Sequence, residues 1–87
     1  MKLFATLREI FGTRRMEVAV ENGTNIGELL NFVFDTPQRR VNVFDNGKLK
    51  SSIIILRNGR HIQHLEGIDT ELSDGDSVAI FPPIAGG

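Results

Sequence analysis

The residues with the clearest chemical potential are the last seven, which read Phe81-Pro82-Pro83-Ile84-Ala85-Gly86-Gly87. Proline has no backbone N–H and a fixed φ, so Pro82 and Pro83 are expected to end strand pairing and hold the following chain extended. Neither Gly86 nor Gly87 carries a Cβ, so the backbone there can enter a channel too narrow for any other residue. We therefore expect residues 82–87 to form an extended C-terminal tail that presents the Gly87 carboxylate to another enzyme.

A carboxylate is a poor acyl donor, because its leaving group would be an oxide. Transfer of AMP from ATP gives a mixed anhydride, and attack by sulfur then yields a thiocarboxylate or a thioester. That step requires a phosphate-binding pocket, and the sequence has neither Gly-x-x-x-x-Gly-Lys-[Ser/Thr] nor a helix-opening Gly-x-Gly-x-x-Gly. We therefore expect a partner to use the ATP, and this chain, which binds no cofactor itself, to act as a carrier rather than a complete enzyme.

Other reactive side chains are sparse. The chain has no cysteine, which excludes disulfides, thiolate metal sites and a cysteine nucleophile. His61 and His64 are the only imidazoles, and no acidic cluster lies beside them in the sequence, so we interpret them as surface histidines rather than metal ligands. No serine or threonine is marked as a nucleophile by its neighbours.

Length and charge limit the possible partners. The 87 residues suffice for one small domain with a single core. A formal net charge of −1 gives no electrostatic footprint for nucleic acid. No apolar run reaches membrane-spanning length, and the N-terminus lacks the pattern of a signal peptide. We therefore expect a cytoplasmic protein with no nucleic-acid or membrane partner.

The first strand is predicted from alternation over residues 2–8. One face carries Leu3, Ala5 and Leu7, and the other carries Phe4, Thr6 and Arg8. Residues 12–15 are predicted to turn the chain back into a second strand, residues 16–20, which Asn22-Gly23 ends.

One helix is predicted next. Thr24 or Asn25 can cap it, and Glu28 has the spacing from Asn25 that a capping box requires. The apolar residues that follow at helical spacing are Ile26, Leu29, Leu30, Val33 and Phe34. Pro37 is predicted to close the segment. Residues 38–50 carry a turn signal at Asp45-Asn46-Gly47 and no other assigned structure or role.

The remaining segments complete the sheet. The apolar run at residues 53–56 predicts a strand covered on both faces, or an alternating strand with an apolar outer face. Asn58-Gly59 predicts a tight hairpin that returns through residues 60–62, and residues 73–76 turn into a final strand at 78–81. This order predicts an α+β fold of the β-grasp type. A mixed sheet of four to five strands would be crossed by one main helix, with the last strand beside the first, in a single domain spanning residues 1–87.

A single helix covers one face of such a sheet and leaves the other partly open. If Leu3 lies beneath the helix, Phe4 points to the open face, and Phe81 is predicted to join it near the base of the tail. An exposed apolar patch rimmed by polar groups usually marks a protein interface. From the pattern alone, Phe4 and Phe81 are equally well interpreted as core. Arg8 on the same face would either pair with an acidic partner residue or remain a solvated charge.

The sequence Phe-Pro-Pro-Ile-Ala-Gly-Gly at residues 81–87 resembles the C-terminus of ubiquitin-like sulfur carriers, and most of all the small subunits of molybdopterin synthase. Residues 3–12 resemble the first strand and turn of that family, and residues 72–79 resemble its approach to the last strand. The resemblance implies that an adenylating enzyme of the ubiquitin-activating type converts the Gly87 carboxylate to an acyl-adenylate. Sulfur transfer would then leave a thiocarboxylate on Gly87.

The same resemblance also implies which molecule accepts the sulfur from Gly87. The tail, Pro82, Pro83, Ile84, Ala85, Gly86 and Gly87, would insert into the large subunit of molybdopterin synthase. There the thiocarboxylate would transfer its sulfur to a precursor pterin, as a step in forming the dithiolene that holds molybdenum or tungsten. The catalytic side chains would belong to the large subunit, and Gly86 would keep the approach narrow. The resemblance favours partner contacts for Phe4, Arg8 and Phe81, but the chain has His61 near the Asn58-Gly59 hairpin, where the family often has an apolar partner-contacting residue.

Three other functions are compatible with the sequence. A ubiquitin-like modifier would join Gly87 to lysines of target proteins through an isopeptide bond. A thiamine-pathway sulfur carrier shares the fold and the diglycine, although such carriers tend to be shorter and to lack the Phe-Pro-Pro lead. A pure interaction module would use the sheet alone and make the tail incidental. The last of these is distinguished by Gly87→Ala, which would leave its binding intact.

Overall fold

The computed structural model of the chain describes residues 1–9, 12–41 and 43–81. Its elements are β1 Lys2–Glu9, β2 Gly12–Ala19, α1 Ile26–Val33, α2 Pro37–Arg40, β3 Phe44–Asp45, β4 Lys48–Leu49, β5 Ile54–Arg57, β6 Arg60–His61, two short 3-10 helices at Ile62–His64 and Gly67–Asp69, and β7 Ser77–Phe81.

Five strands form one mixed sheet in the order β2-β1-β7-β5-β6. The first strand, β1, is antiparallel to β2 and parallel to β7, and β7 is antiparallel to β5. The short strands β3 and β4 form a separate two-stranded hairpin. The predicted β-grasp arrangement, with the last strand beside the first and one main helix, is confirmed.

The helix α1 forms where its local signals place it. Asn25 is the N-cap: its side-chain oxygen accepts from the Glu28 backbone N–H at 2.8 Å, and the Glu28 carboxylate accepts from the Asn25 N–H at 3.3 Å. This is the predicted capping box, which satisfies two backbone donors that a helix start would otherwise leave unpaired. The apolar stripe predicted for α1 is buried, as are the inner residues of β1, in one core that comprises Leu3, Ala5, Leu7, Val18, Ile26, Leu29, Leu30, Val33, Phe34, Val43, Ile53, Ile55, Ile62, Leu72, Val78 and Ile80.

Two Asn-Gly turns close hairpins. Asn46 and Asn58 both have φ of 52°, and the glycines that follow, Gly47 and Gly59, have φ of 78° and 83°. Two successive residues with positive φ are typical of the type I′ turn, whose twist matches that of the flanking strands. The turn signals at 45–47 and 58–59 are therefore confirmed, and the first of them supplies the structure that the sequence left unassigned.

One local prediction is wrong. Residues 12–15 lie within β2, where Gly12 is opposite Glu9 and Arg15 is opposite Thr6, so they are not a turn. The strand β1 extends to Glu9, and residues 10 and 11, which separate the two strands in the sequence, lie outside the described part. The helix α1 ends at Val33, before Pro37, as predicted. Pro37 itself begins the separate short helix α2, since a proline at the first helical position loses no hydrogen bond and has a suitable φ.

Candidate functional site

The face of the sheet opposite α1 carries a patch of exposed and half-buried residues. On β1, Leu3 and Ala5 point into the core while Phe4 between them is 49% exposed. On β7, Val78 and Ile80 are fully buried while Phe81 remains half-buried. We call this surface the open face; it brings together Phe4, Arg8 and Phe81, as the sequence predicted. These residues line one shallow depression that reaches from β2 across the sheet to β5.

Arg8 and Phe81 contact each other across the β1–β7 pair. The guanidinium carbon of Arg8 lies 5.5 Å from the centroid of the Phe81 ring, within the range of a cation–π interaction. The guanidinium of Arg8, an exposed residue, therefore lies beside the aromatic ring and forms a basic margin to the apolar patch.

The strand β5 contributes residues that the sequence analysis did not single out. Ile54 lies directly opposite Phe81 in the antiparallel register and is 45% exposed, while the next residue, Ile55, is fully buried. Leu56 continues the same face opposite Ala79. The unbroken apolar run at 53–56 hid this alternation, because four apolar residues in a row give no sign of which face is covered.

His61 lies at the β6 margin of the open face, opposite Leu56. Its Nδ1 accepts a hydrogen bond from the backbone N–H of Gln63 at 3.0 Å, and its ring meets that of His64 edge-on at 6.2 Å between centroids. The hydrogen bond makes His61 the N-cap of the 3-10 helix that follows. Within the described ranges, no three His, Cys, Asp or Glu side chains cluster as metal ligands would.

A polar network fixes the turn from which β7 starts. The Asp76 carboxylate accepts hydrogen bonds from the Ser73 backbone N–H at 2.7 Å, from Arg57 Nε at 2.9 Å and from Asn58 Nδ2 at 2.9 Å. Asn58 Oδ1 in turn accepts from the Ser77 N–H. Burial by itself raises the pKa of Asp76, but these hydrogen bonds and the Arg57 charge outweigh it, so the pKa is lowered. The network ties the β5–β6 hairpin to the strand that leads to Phe81.

The tail lies outside the described residues. Pro82, Pro83, Ile84, Ala85, Gly86 and Gly87 follow directly on Phe81, which is the last residue of β7. Phe81 therefore belongs to the open face and also directly precedes the tail, whose Gly87 carboxylate is predicted to be activated. Among the helices that the structure describes, none is both long and apolar enough to cross a membrane.

Comparison with known proteins assigns the family. A family model described as the ThiS family matches residues 1–87. The chain belongs to the ThiS family. Small archaeal modifier protein 3 of Haloferax volcanii is 36% identical to it over 90 residues, which cover 100% of this chain and 96% of that protein. The molybdopterin synthase sulfur carrier subunit of Escherichia coli is 34% identical over 84 residues, which cover 97% and 93%.

A solved structure agrees with this assignment. The crystal structure of SAMP1 from Haloferax volcanii superposes with a TM-score of 0.78 at 25% identity, and the match covers 100% of both chains. The resemblance to ubiquitin-like sulfur carriers is thus confirmed. The ThiS-family relatives include both a sulfur carrier subunit of an enzyme and a protein modifier, so the family alone leaves the pathway open.

Proposed function

We propose that this ThiS-family chain is the sulfur carrier of molybdenum or tungsten cofactor biosynthesis. An adenylating enzyme of the ubiquitin-activating type would transfer AMP from ATP to the Gly87 carboxylate. Sulfur would then displace AMP and leave a thiocarboxylate on Gly87. That sulfur would pass to a precursor pterin within molybdopterin synthase, in a reaction whose catalytic side chains lie on the large subunit. We place this reaction in the cytoplasm.

The observation that carries the proposal is the similarity to the molybdopterin synthase sulfur carrier subunit of Escherichia coli, which extends over 97% of this chain. That relative is, by its name, a subunit, so it assembles with another protein. The Phe-Pro-Pro lead into the diglycine supports the same assignment.

The open face supports a partner of this kind. Phe4 and Ile54 are each nearly half exposed, and Phe81 lies between their strands. Burying such apolar surface against a partner is favourable by about 25 cal/mol per Å². We propose that the large subunit covers this face through Phe4, Arg8 and Phe81 while the tail, residues 82–87, enters its active site. Docking of the large subunit on the open face, next to the start of the tail, would direct Gly87 into the active site without requiring side-chain contacts along the whole tail.

Conjugation to proteins is the second candidate, because small archaeal modifier protein 3 of Haloferax volcanii covers this whole chain at 36% identity. In that function the activated Gly87 carbonyl would be attacked by a lysine amine instead of accepting sulfur. Both candidates share adenylation and differ in the acceptor.

The test is transfer from the thiocarboxylated chain. Mixed with a molybdopterin synthase large subunit and the precursor pterin, the chain should lose about 16 mass units as sulfur is exchanged for oxygen. Sulfur should appear in the pterin in matching amount. The unmodified carboxylate form is the control and should give no product. Retention of sulfur by a correctly docked chain would contradict the cofactor pathway.

The second candidate has its own signature. The chain has no lysine or arginine after Arg60, so trypsin would leave residues 61–87 as a branch on every modified lysine. Finding such branched peptides in cells would establish conjugation. Their absence, together with sulfur transfer to the pterin, would exclude it as the main function.

A further inference from the structure

The strand β2 is a long edge strand of the five-stranded sheet. It pairs with β1 over all eight of its residues. Within the part of the chain that the structure describes, no other strand pairs with its outer side, and most of its residues are exposed. Such an edge presents unpaired backbone N–H and C=O groups and is a ready template for another strand.

The hydrogen bonding beside β2 identifies the outward groups. The Met1 amine donates to the Val20 carbonyl at 2.7 Å, and the Val20 N–H donates to the Met1 carbonyl at 2.9 Å. In an antiparallel pair, residues that exchange both bonds alternate with residues whose backbone groups point away from each other. Counting back from Val20, the outward backbone groups of β2 belong to Ala19, Glu17, Arg15 and Thr13.

Charge on these residues favours one of the three registers that pair most of the edge with itself, which are centred on Arg15, Met16 or Glu17. In a twofold antiparallel pairing centred on Met16, Arg15 of each copy faces Glu17 of the other, so unlike charges meet at both places. Centring the pair on Arg15 or on Glu17 instead places like charges directly opposite, which is destabilising. We infer that β2 pairs with β2 of a second copy of this chain, in the register centred on Met16.

The remaining positions are compatible with this register. Thr13 falls opposite Ala19, and Arg14 falls opposite Val18, so no like charges meet directly. Met16 is half-buried against the core and meets its own counterpart on the twofold axis, which extends apolar packing between the copies. Every outward N–H and C=O from Thr13 to Ala19 gains a partner.

The contact that Glu17 already makes does not oppose the pairing. Lys2 Nζ lies 3.4 Å from Glu17 Oε1, but the two side chains are 72% and 53% exposed. An exposed pair of this kind contributes little. Glu17 can therefore face Arg15 of the second copy while Lys2 remains beside it.

The pairing leaves the open face uncovered. A twofold axis perpendicular to the sheet places both helices on one side of a continuous ten-stranded sheet and both open faces on the other. Phe4 and Phe81 remain available in each copy. A partner that is itself dimeric would then meet two carrier surfaces held side by side, which raises its effective affinity through the linked second contact.

Sedimentation equilibrium of the full chain, from micromolar to millimolar concentration, tests this inference. Arg15→Glu and Glu17→Arg should each weaken dimerisation by about tenfold or more, because both cross-strand pairs change from unlike to like charges. An equimolar mixture of the two variants should dimerise again, since unlike charges then face each other at both positions. Arg14→Glu is the matched control, because it makes the same change in charge opposite Val18, and it should leave the equilibrium nearly unchanged.

Amide hydrogen exchange gives a second readout that depends on register. The backbone amides of Thr13, Arg15, Glu17 and Ala19 should exchange more slowly as the concentration rises. A chain that stays monomeric to millimolar concentration would overturn the inference. So would a dimer that is unaffected by Arg15→Glu, or one that the mixed variants fail to restore. The inference does not involve Gly87, so it can fail while the proposed sulfur transfer stands.

Discussion

Arg8 on β1 and Phe81 on β7 form a cation–π pair, with 5.5 Å between the guanidinium carbon and the ring centroid. The pair joins the two central strands of the sheet at the place where the described chain passes into residues 82–87. Phe81 lies directly before the tail in the chain, and the pair places a positive charge next to exposed apolar surface.

Phe81→Ala should weaken binding of the large subunit by about tenfold, as expected for an aromatic residue near the centre of an interface. It should lower the free energy of unfolding by less, because the ring is only half-buried. Titration calorimetry and thermal melting measure the two effects. Phe32→Ala is the control: this ring is 60% exposed on α1, away from the open face, and its loss should leave binding unchanged. Equal losses of binding and stability would assign Phe81 to the core.

The two faces of the sheet should respond differently to charge. Val78→Asp or Leu29→Asp should unfold the domain, because both side chains are fully buried and an unpaired buried charge costs several kcal/mol of a total near 5–15. Phe4→Asp should remain folded, because that side chain is already 49% exposed. Far-UV circular dichroism with thermal melting checks all three. Unchanged melting of Val78→Asp would contradict the assignment of the core.

The carboxylate of Asp76 should make the fold sensitive to acid. Its pKa is lowered in the folded chain from the ordinary value of 3.8, so the ionised form is favoured by folding. The resulting stability is fully present above pH 3.8 and is lost as the pH falls through the lowered pKa of the folded state.

Asp76→Asn should therefore lower the free energy of unfolding at neutral pH by about 1–3 kcal/mol and reduce its loss on acidification. Urea denaturation at neutral pH and below pH 4 measures both quantities. Asp69→Asn, an exposed carboxylate outside the network, is the control and should behave as the unaltered chain. An Asp76→Asn variant with undiminished stability and the same acid sensitivity would show that the network does not stabilise the fold.

Gly87→Ala should sharply reduce activation by the adenylating enzyme, since a Cβ would meet the wall of a channel shaped for glycine. ATP–pyrophosphate exchange measures the activation directly. The melting temperature should not change, which separates this effect from misfolding. Adenylation at the normal rate would contradict the narrow channel, because it would show that the activating enzyme tolerates a Cβ at position 87.

The sequence predicted the elements whose signals are local. The capping box of Asn25 and Glu28 and the Asn-Gly pairs at 46–47 and 58–59 each act within a few residues, and each forms as predicted. The Arg8–Phe81 contact was partly foreseen, because alternation placed both residues on one face. What could not be foreseen was the distance between them.

Interactions between distant segments were missed. Asp76 meets Arg57 and Asn58, which lie 19 and 18 residues earlier, and no pattern within one segment signals that contact. Ile54 was not identified on the open face because an apolar run has no visible alternation. The predicted turn at 12–15 is wrong because Gly12 is the first residue of β2. Glycine is common in turns, so the residue type alone does not distinguish the start of this strand from a turn.

Sulfur loading of Gly87 is measured by the intact mass of the chain after incubation with ATP, a sulfur source and its adenylating enzyme. We expect a gain of about 16 mass units, from one oxygen of the Gly87 carboxylate replaced by sulfur. No gain, with the same enzyme shown to be active on another carrier, would contradict sulfur transfer to Gly87 by that enzyme. Conjugation or simple interaction would then be the better account of the chain.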